Sequence, residues 1–598
     1  MSYKSVYLSS TSLLPDREID RPVVFLVEPY LTEPVKLRLE PIGYELLPKP
    51  WNDEHRLDEG YDYLENLYIT FNERMGSVLS QIHRVDYPSS FWEIPMASWL
   101  LHFLHALFDR YSRLKKAVEL YGKENIELFS YREDLKISKG FIDFIEATSF
   151  IEESASAFYG LVAKELGISV IEFNSTERHE RNVFIQKKGI GTNFKLFYLK
   201  LFGSLKDKIF TPVPLRFFHG KDILISPHHF NRREQFIFAK KLEASFFIVE
   251  NKTEKVLQQI DRTLLSSIAP RDEFEKIVIS LLPRFMPMYL LEEFRSYEEQ
   301  AKKWDSFKVY FAEKDWYTDI LFCYAASLGR LKGARIVGSQ HGGNYGQDKR
   351  SHTELIERKL NDFYITWGWR DSSYPGAQLL SLPQPNLSRC LNKHKPKTKT
   401  VLWSGTTTTK QAGRLTVNIP DKLFSYLECK RRFISYLDPK VVRCLVYRPH
   451  PVNSGWSDEE KEIFTKYPDV SIEHIGTLTE LLQDVKLYIC DNQGTSFMEA
   501  LVINTPTILF WEHELYNERE SAVPYFDLLR DAGILFHDPL KAAEQVNTVF
   551  DNVQHWWMGL RRQTARLKFM DRFCRADVNW QKEWIKAFRD IIETSKGG

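Results

Sequence analysis

Two patterns of apolar residues alternate along this chain. Short runs rich in Val, Ile, Tyr and Phe are separated by longer stretches in which apolar positions recur every three or four residues. The first pattern predicts strands buried on both faces, and the second predicts helices packed on one side. The clearest case is 487–511. Leu487–Cys490 is an apolar run, Asp491, Asn492 and Gly494 break it, Thr495 and Ser496 open a helical segment through Leu501, and residues 507–511 form the next run. This predicts a β-α-β crossover whose polar turn lies at the carboxyl end of the first strand, where open α/β sheets bind ligands. A helix start beside Gly494, with free N–H groups, favours a phosphate. Ser496-Phe-Met-Glu499 also has the spacing of a capping box, which gives Glu499 a second reading as a cap.

The same patterns organise the rest of the chain. Residues 5–9 and 23–27 read as strands, with Ser9, Ser10, Thr11 and Ser12 closing the first; 62–82, 94–120 and 134–166 read as helical. Strands are expected at 169–173, at 222–226 ending in Pro227-His228-His229, and at 307–312 ending in Glu313-Lys314-Asp315. A helix at 318–330 and a strand at 334–339 lead into the glycine-rich turn Gln340-His341-Gly342-Gly343-Asn344-Tyr345-Gly346, followed by a strand at 363–366. The Pro- and Lys-rich stretch 382–400 reads as a domain boundary. Strands at 401–404, 445–448, 470–473, 487–490, 507–510 and 534–536 then complete a parallel sheet, and the chain is helical beyond 549 to near 595, with a basic aromatic stretch at 556–575. The expected units are 1–390, 391–555 and 556–598.

Length and charge narrow the function classes. At ~150 residues per domain, 598 residues predict two to four units with a cleft between them. With 81 Lys and Arg against 80 Asp and Glu, the net charge of +1 argues against binding nucleic acid through bulk charge. The six cysteines contain no CxxC pair, so neither a disulfide framework nor a zinc ribbon is suggested. No apolar stretch reaches the ~20 residues of a membrane span, and a cytoplasmic protein is expected. His102, His105 and Asp109 share one helix face as metal ligands would, but their apolar neighbours favour a buried helix, and no metal is expected.

The segment YRPHP at 447–451, followed by DNQGTSxxEALxxxTP from Asp491, resembles the C-terminal half of GT-B glycosyltransferases. The nearest in pattern are the capsule Kdo and nonulosonate transferases, the bacterial sialyltransferases with an HP motif, and the teichoic-acid glycerophosphotransferases. The Pro50-Trp-Asn-Asp53 turn and the 99–111 helix are similar to a leptospiral-type family of surface-carbohydrate transferases. The resemblance implies an α/β GT-B fold: two Rossmann-like domains facing a cleft, extra N-terminal helices, and a C-terminal helix crossing back.

It also implies a glycosyltransferase that passes a sugar from a nucleotide-sugar donor to a glycan or lipid-linked oligosaccharide acceptor. A CMP-linked nonulosonic acid is the first choice of donor; CDP-glycerol and a UDP-hexose are alternatives, and a UDP-sugar epimerase is a different class on the same fold. The expected donor site is Gly405, Thr406, Arg448, His450, Asp491, Gly494, Thr495, Ser496 and Glu499. Gly342, Gly343 and Asn344 are placed on the acceptor side, and His341, His450 and Glu313 are the expected catalytic residues. The chain has no D-x-D pattern, so metal-independent transfer without a cofactor is expected. Peripheral contact with the inner face of the cytoplasmic membrane is a further expectation, and nucleic acid is not expected as a partner.

Overall fold

In the computed structural model the described residues are 5–132, 135, 138, 140–174, 220–226, 229–247, 257–371, 376–407, 409–416, 420–451 and 463–594. The apolar runs become strands of three parallel sheets. The first holds β1 (Val6–Ser9), β2 (Val23–Phe25), β3 (Tyr44–Leu46), β4 (Ile126–Tyr131) and β5 (Ser169–Phe173), in the order β3-β2-β1-β4-β5. The second holds β6 (Ile223–Ser226), β7 (Ala244–Phe246), β8 (Val309–Ala312), β9 (Arg335–Ser339), β10 (Phe363–Thr366) and β11 (Gln378–Ser381), in the order β11-β10-β9-β8-β6-β7. The third holds β12 (Val401–Ser404), β13 (Leu445–Arg448), β14 (Ser471–Ile472), β15 (Leu487–Cys490), β16 (Thr507–Phe510) and β17 (Leu535–Phe536), in the order β14-β13-β12-β15-β16-β17. Their central strands, such as VLWS, LYIC and TILF, are buried throughout, as expected of strands covered by helices on both faces.

The strand orders are those of doubly wound sheets, and each has one point where the chain reverses direction across the sheet. These points lie between β1 and β4, between β6 and β8, and between β12 and β15. The two Rossmann-like units expected to face a cleft are the second and third sheets. The span 1–390 holds the second sheet and also the first, a further Rossmann-like layer that the sequence reading did not separate. Two of its strands explain why. Tyr44–Leu46 is half-buried, and Ile126–Tyr131 follows a long helix with only Gly122 and a short 3-10 turn between.

Two long helices join the first and second sheets. Glu54–His83 starts at Asp53, whose carboxylate accepts from the backbone of His55 and Arg56, and stops where Arg84 turns left-handed at φ 52°. Ser89–Tyr121 buries almost its whole central length, including His102, His105 and Asp109. The expected 134–166 helix is instead the segments Phe141–Ile145, Glu146–Phe150 and Glu152–Glu165, and Glu133 and Asp134 lie outside the described residues.

The terminal helices divide. Leu560–Phe573 stays with the third sheet, where Phe569 meets Phe526 at 5.1 Å and Phe497 at 5.6 Å. Trp580–Thr594 crosses back. Its Trp584 and Phe588 lie 5.8 and 5.1 Å from Phe311 of the second sheet, and Trp584 Nε1 donates to Pro383 O at 2.8 Å. The spacing of its buried residues, Trp580, Trp584, Phe588, Ile591 and Ile592, is that of one helix face.

Candidate functional site between the second and third sheets

The turn after β9 and the turn after β15 touch. Gly343 N donates to Thr495 Oγ1 at 2.7 Å, and a Cβ on Gly343 would lie 2.6 Å from Gly494 C and 2.7 Å from Thr495 N. Only a glycine permits that approach. Gln340 holds the turn in shape: its Oε1 accepts from Trp367 N at 3.1 Å and Trp369 Nε1 at 2.8 Å, and its Nε2 donates to Gly342 O at 2.9 Å. Asn344 adopts φ +75° and donates to Asp348 Oδ2 at 2.8 Å, while Gln493 donates to Asp348 Oδ1 at 2.9 Å. The glycine-rich turn of the second sheet is therefore fixed against the helix start of the third.

That helix, Thr495–Ile503, begins at Gly494, and no side chain caps it. The capping box expected of Ser496 and Glu499 does not form. Ser496 lies inside the helix with its hydroxyl 3.4 Å from Cys490 Sγ, and Glu499 accepts from Thr479 Oγ1 at 3.0 Å. Glycine at the cap offers no side-chain oxygen, so the first N–H groups of the helix are left without that partner. Burial raises the Glu499 carboxyl to about 7, opposed by the Thr479 hydrogen bond.

Three other residues of the expected donor site have partners within the protein. Asp491 accepts from Trp403 Nε1 at 2.8 Å and Tyr426 OH at 2.9 Å, and lies 3.3 Å from the fully buried Lys430 Nζ. Lys430 also donates to Tyr447 OH at 2.6 Å and faces the rings of Tyr426 and Tyr447 at 4.6 and 4.8 Å. A Cβ on Gly405 would meet Lys430 Nζ at 2.5 Å as well as the Tyr447 hydroxyl, so Gly405 makes room for this cage. Thr406 N donates to Tyr426 OH at 2.9 Å. Arg448 gives its two terminal nitrogens to Ile475 O at 2.9 Å and Gly476 O at 2.7 Å. Lys430 was missed in the sequence because nothing local marks a lysine on a helix as buried. His450 is half-buried beside Pro449 and Pro451 at the end of β13. Thr408, part of the expected hydroxyl-rich turn, lies outside the described residues.

At the reversal point of the second sheet, Glu313 follows β8 and His229 follows β6. Their side chains meet, with His229 Nδ1 2.6 Å from Glu313 Oε2. The atoms are in contact but not aligned as a hydrogen bond. Glu313 is 1% exposed, and its carboxylate meets His229. Pro227 and His228 lie outside the described residues. Next to this pair, burial pulls the Lys314 ammonium down to about 8, against the attraction of Glu313 and Asp315.

His341 stands close by. Burial, and after it the charges of Lys314, His229 and Arg414, holds its imidazole well below its usual range. Its Nδ1 lies 3.4 Å from Glu357 Oε1, yet this is a contact between neutral groups, because burial raises the Glu357 carboxyl to about 8. Tyr345 OH bridges the two, 3.2 Å from His341 Nδ1 and 3.0 Å from Glu357 Oε1. A neutral imidazole that stays neutral can donate or accept one hydrogen bond without carrying charge.

The metal alternative on the Ser89–Tyr121 helix fails on geometry. Asp109 accepts from Trp51 Nε1 at 2.7 Å and Arg113 Nε at 2.9 Å, and His102 Nδ1 pairs with Ser98 O at 2.8 Å. Among the described residues no three His, Cys, Asp or Glu side chains are placed to hold a metal ion, and no helix is long and apolar enough to cross a membrane.

Comparison with known proteins gives a family and distant likenesses. The family model described as LIC12162 family transferase matches residues 11–588. The curated proteins contain no match. Among solved structures, the chain is similar to the pneumococcal O-GlcNAc transferase GtfA in complex with UDP and GlcNAc, at 11% identity and TM-score 0.31, covering 51% of this chain and 60% of that one. It is similar to the glycosyltransferase VinC in complex with DTDP, at 10% identity and TM-score 0.32, covering 79% and 92%. Medicago truncatula UGT71G1 complexed with UDP-glucose matches at 9% identity and TM-score 0.30, covering 61% and 88%. The family match, unlike these, spans nearly the whole chain: the protein belongs to the LIC12162 family of transferases.

Proposed function

We propose that this transferase is a glycosyltransferase of the GT-B type, taking a sugar from a nucleotide-linked donor held by the third sheet and passing it to a hydroxyl held by the second. The observation that carries the reading is the contact of the two turns. The uncapped start of Thr495–Ile503 and the His229–Glu313 pair lie at the reversal points of facing sheets, and the Gly343–Thr495 hydrogen bond joins their units. A helix start favours the donor phosphate. A carboxylate accepts only, so Glu313 beside Nδ1 favours the tautomer of His229 that is protonated on Nδ1 and basic at Nε2.

In this mechanism the acceptor oxygen attacks the anomeric carbon as its proton passes to His229 Nε2. The bond from that carbon to the donor phosphate breaks, and the phosphate leaves with its charge. Thr495, Ser496 and the backbone N–H groups of their turn stabilise it, with His450 as a further donor. His341 contributes a neutral hydrogen bond, and Glu499 serves the ribose hydroxyls. The base role expected of Glu313 thus passes to His229, and Glu313 becomes the group that orients it.

The donor on this reading is a CMP-linked nonulosonic acid, supported by the resemblance of Arg448-Pro-His450-Pro to the HP motif. The acceptor is a surface glycan or a lipid-linked oligosaccharide. The reaction belongs at the cytoplasmic face of the inner membrane. Exposed Leu560 and Leu567, beside exposed Arg561 and Lys568, supply a surface that suits an anionic bilayer. Incubation with CMP-, CDP- and UDP-linked sugars, with release of the free nucleotide as the readout, tests the donor; release from a UDP-hexose alone would replace the CMP assignment.

A further inference from the structure

A buried group of histidines lies where all three units meet. His102 and His105 come from the Ser89–Tyr121 helix, and His352 opens the His352–Leu360 helix of the second unit. The His352 ring is 5.6 Å from that of His102 and 5.3 Å from that of His105. The third unit reaches them through the loop after β12, where Leu415 N donates to His105 Nδ1 at 3.1 Å. His105 therefore carries its own proton on Nε2, whereas His102 spends its Nδ1–H on Ser98 O.

His352 is 2% exposed and neither of its ring nitrogens has a partner. Buried polar groups are nearly always paired, so such an orphan marks a place for a missing partner. The helix that His352 opens is also uncapped, since Ser351 makes no side-chain bond to it. Arg414, next to Leu415, is exposed and makes no hydrogen bond or ion pair with a described residue. Its charge acts on His102, His105, His341 and His352 and holds each imidazole down, together with burial. Lys314 and His229 act on His341 in the same sense. Of the carboxyls on the His352–Leu360 helix, Glu357 lies beside His341 and is raised to about 8, and Glu354 is taken up by Arg519 and the Gly346 amide. Cationic groups and uncommitted donors thus converge here with no anion to meet them.

We propose that this junction binds an oxyanion, a phosphate or carboxylate carried by the acceptor, between the Arg414 guanidinium and the His352 ring at the start of its helix. That the anion belongs to the acceptor rests on the glycosyltransferase reading; the site itself does not. An oxyanion supplies the missing partner for His352 and pairs with Arg414 in the bidentate way guanidinium favours. It also favours the charged imidazole, so binding takes up a proton.

The test is calorimetry on the full chain at neutral pH, titrating inorganic phosphate and, separately, acetate in two buffers of different ionisation enthalpy. The expected result is binding of at least one of these anions with net proton uptake, and the anion that binds identifies the group. Arg414→Gln, at an exposed position that does not burden folding, is expected to weaken that binding at least tenfold and abolish the proton uptake; His352→Ala should abolish the uptake as well. Binding of CMP, CDP and UDP, measured on the same variants, should stay within twofold of the unaltered protein. Absence of proton-coupled binding of either anion, or binding that Arg414→Gln leaves unchanged, would overturn the proposal. Loss of nucleotide binding in the unaltered protein would instead count against the donor reading.

Discussion

The Gly343 amide donates to the Thr495 hydroxyl at 2.7 Å, and with the Gln493–Asp348 bond it rests the glycine-rich turn of the second sheet on the turn before Thr495–Ile503 of the third. Gly343→Ala places a methyl group 2.6 Å from Gly494 C and 2.7 Å from Thr495 N. The turns must then separate, at a cost of about 1–3 kcal/mol, and donor affinity should fall with stability. Gly342→Ala is the control, because its methyl would meet only Thr495 Oγ1, at 3.7 Å. Equal urea midpoints for the two variants would refute the close approach.

His229 and Glu313 should separate by the size of their effects. His229→Ala removes the proposed base and is expected to lower kcat by about 10²–10⁴-fold, with nucleotide affinity unchanged. Glu313→Gln leaves a side chain that can still contact His229 but no longer fixes its tautomer, so kcat should fall by less and its pH profile should shift. If His229→Ala turned over at the normal rate while Glu313→Gln did not, the base would be Glu313 after all.

Glu357 gives a pH dependence of stability. Its carboxyl is raised by burial to about 8 from an ordinary 4.5, against hydrogen bonds from Tyr364, Tyr317 and Tyr345 that lower it. The folded protein thus holds this proton more tightly than the unfolded chain does. The resulting stabilisation is complete below about 4.5 and is lost as pH rises through about 8. Urea midpoints should therefore decline between about pH 4.5 and about pH 8, and Glu357→Gln should flatten that decline. An unchanged slope in the variant would assign the effect to another group.

Metal independence can be checked in one assay. Turnover in EDTA should match untreated turnover, because the proposed phosphate contacts are N–H groups, hydroxyls and His450. A collapse restored by magnesium or manganese would mean that the leaving phosphate depends on a cation.

Most of the central strands were legible because a strand buried on both faces leaves a continuous apolar run, as in Leu487–Cys490 and Val401–Ser404. The edge strand Tyr44–Leu46 leaves no such run and was invisible. The crossing-back helix was legible in outline, since Trp580, Trp584 and Phe588 repeat every four residues. Its neighbour Leu560–Phe573 has the same period but packs at home, and a period says that a face is buried without saying against what.

The site was legible at its turns and not in its partnerships. His341 and Gly343 stand out in the sequence, as do Gly494 and Thr495. The pairing of Glu313 with His229 spans two strand ends separated by a long stretch of chain, and no spacing rule reports it. Asp491 and Arg448 carry the right charges for a phosphate or sugar site, and nothing in the sequence reports that they also meet a buried lysine and two loop carbonyls. Glu499 has the spacing of a cap, yet Gly494 starts the helix one residue before Thr495, so Ser496 is too far inside to serve.

The most direct measurement is nucleotide release by the purified full chain given a panel of CMP-, CDP- and UDP-linked sugars with a glycan acceptor, run beside His229→Ala. The account predicts release of one nucleotide that depends on the acceptor, with CMP the expected product, and a loss of about 10²-fold or more in the variant. Acceptor-dependent release that His229→Ala leaves intact, or a chain that binds none of the three nucleotides, would contradict it.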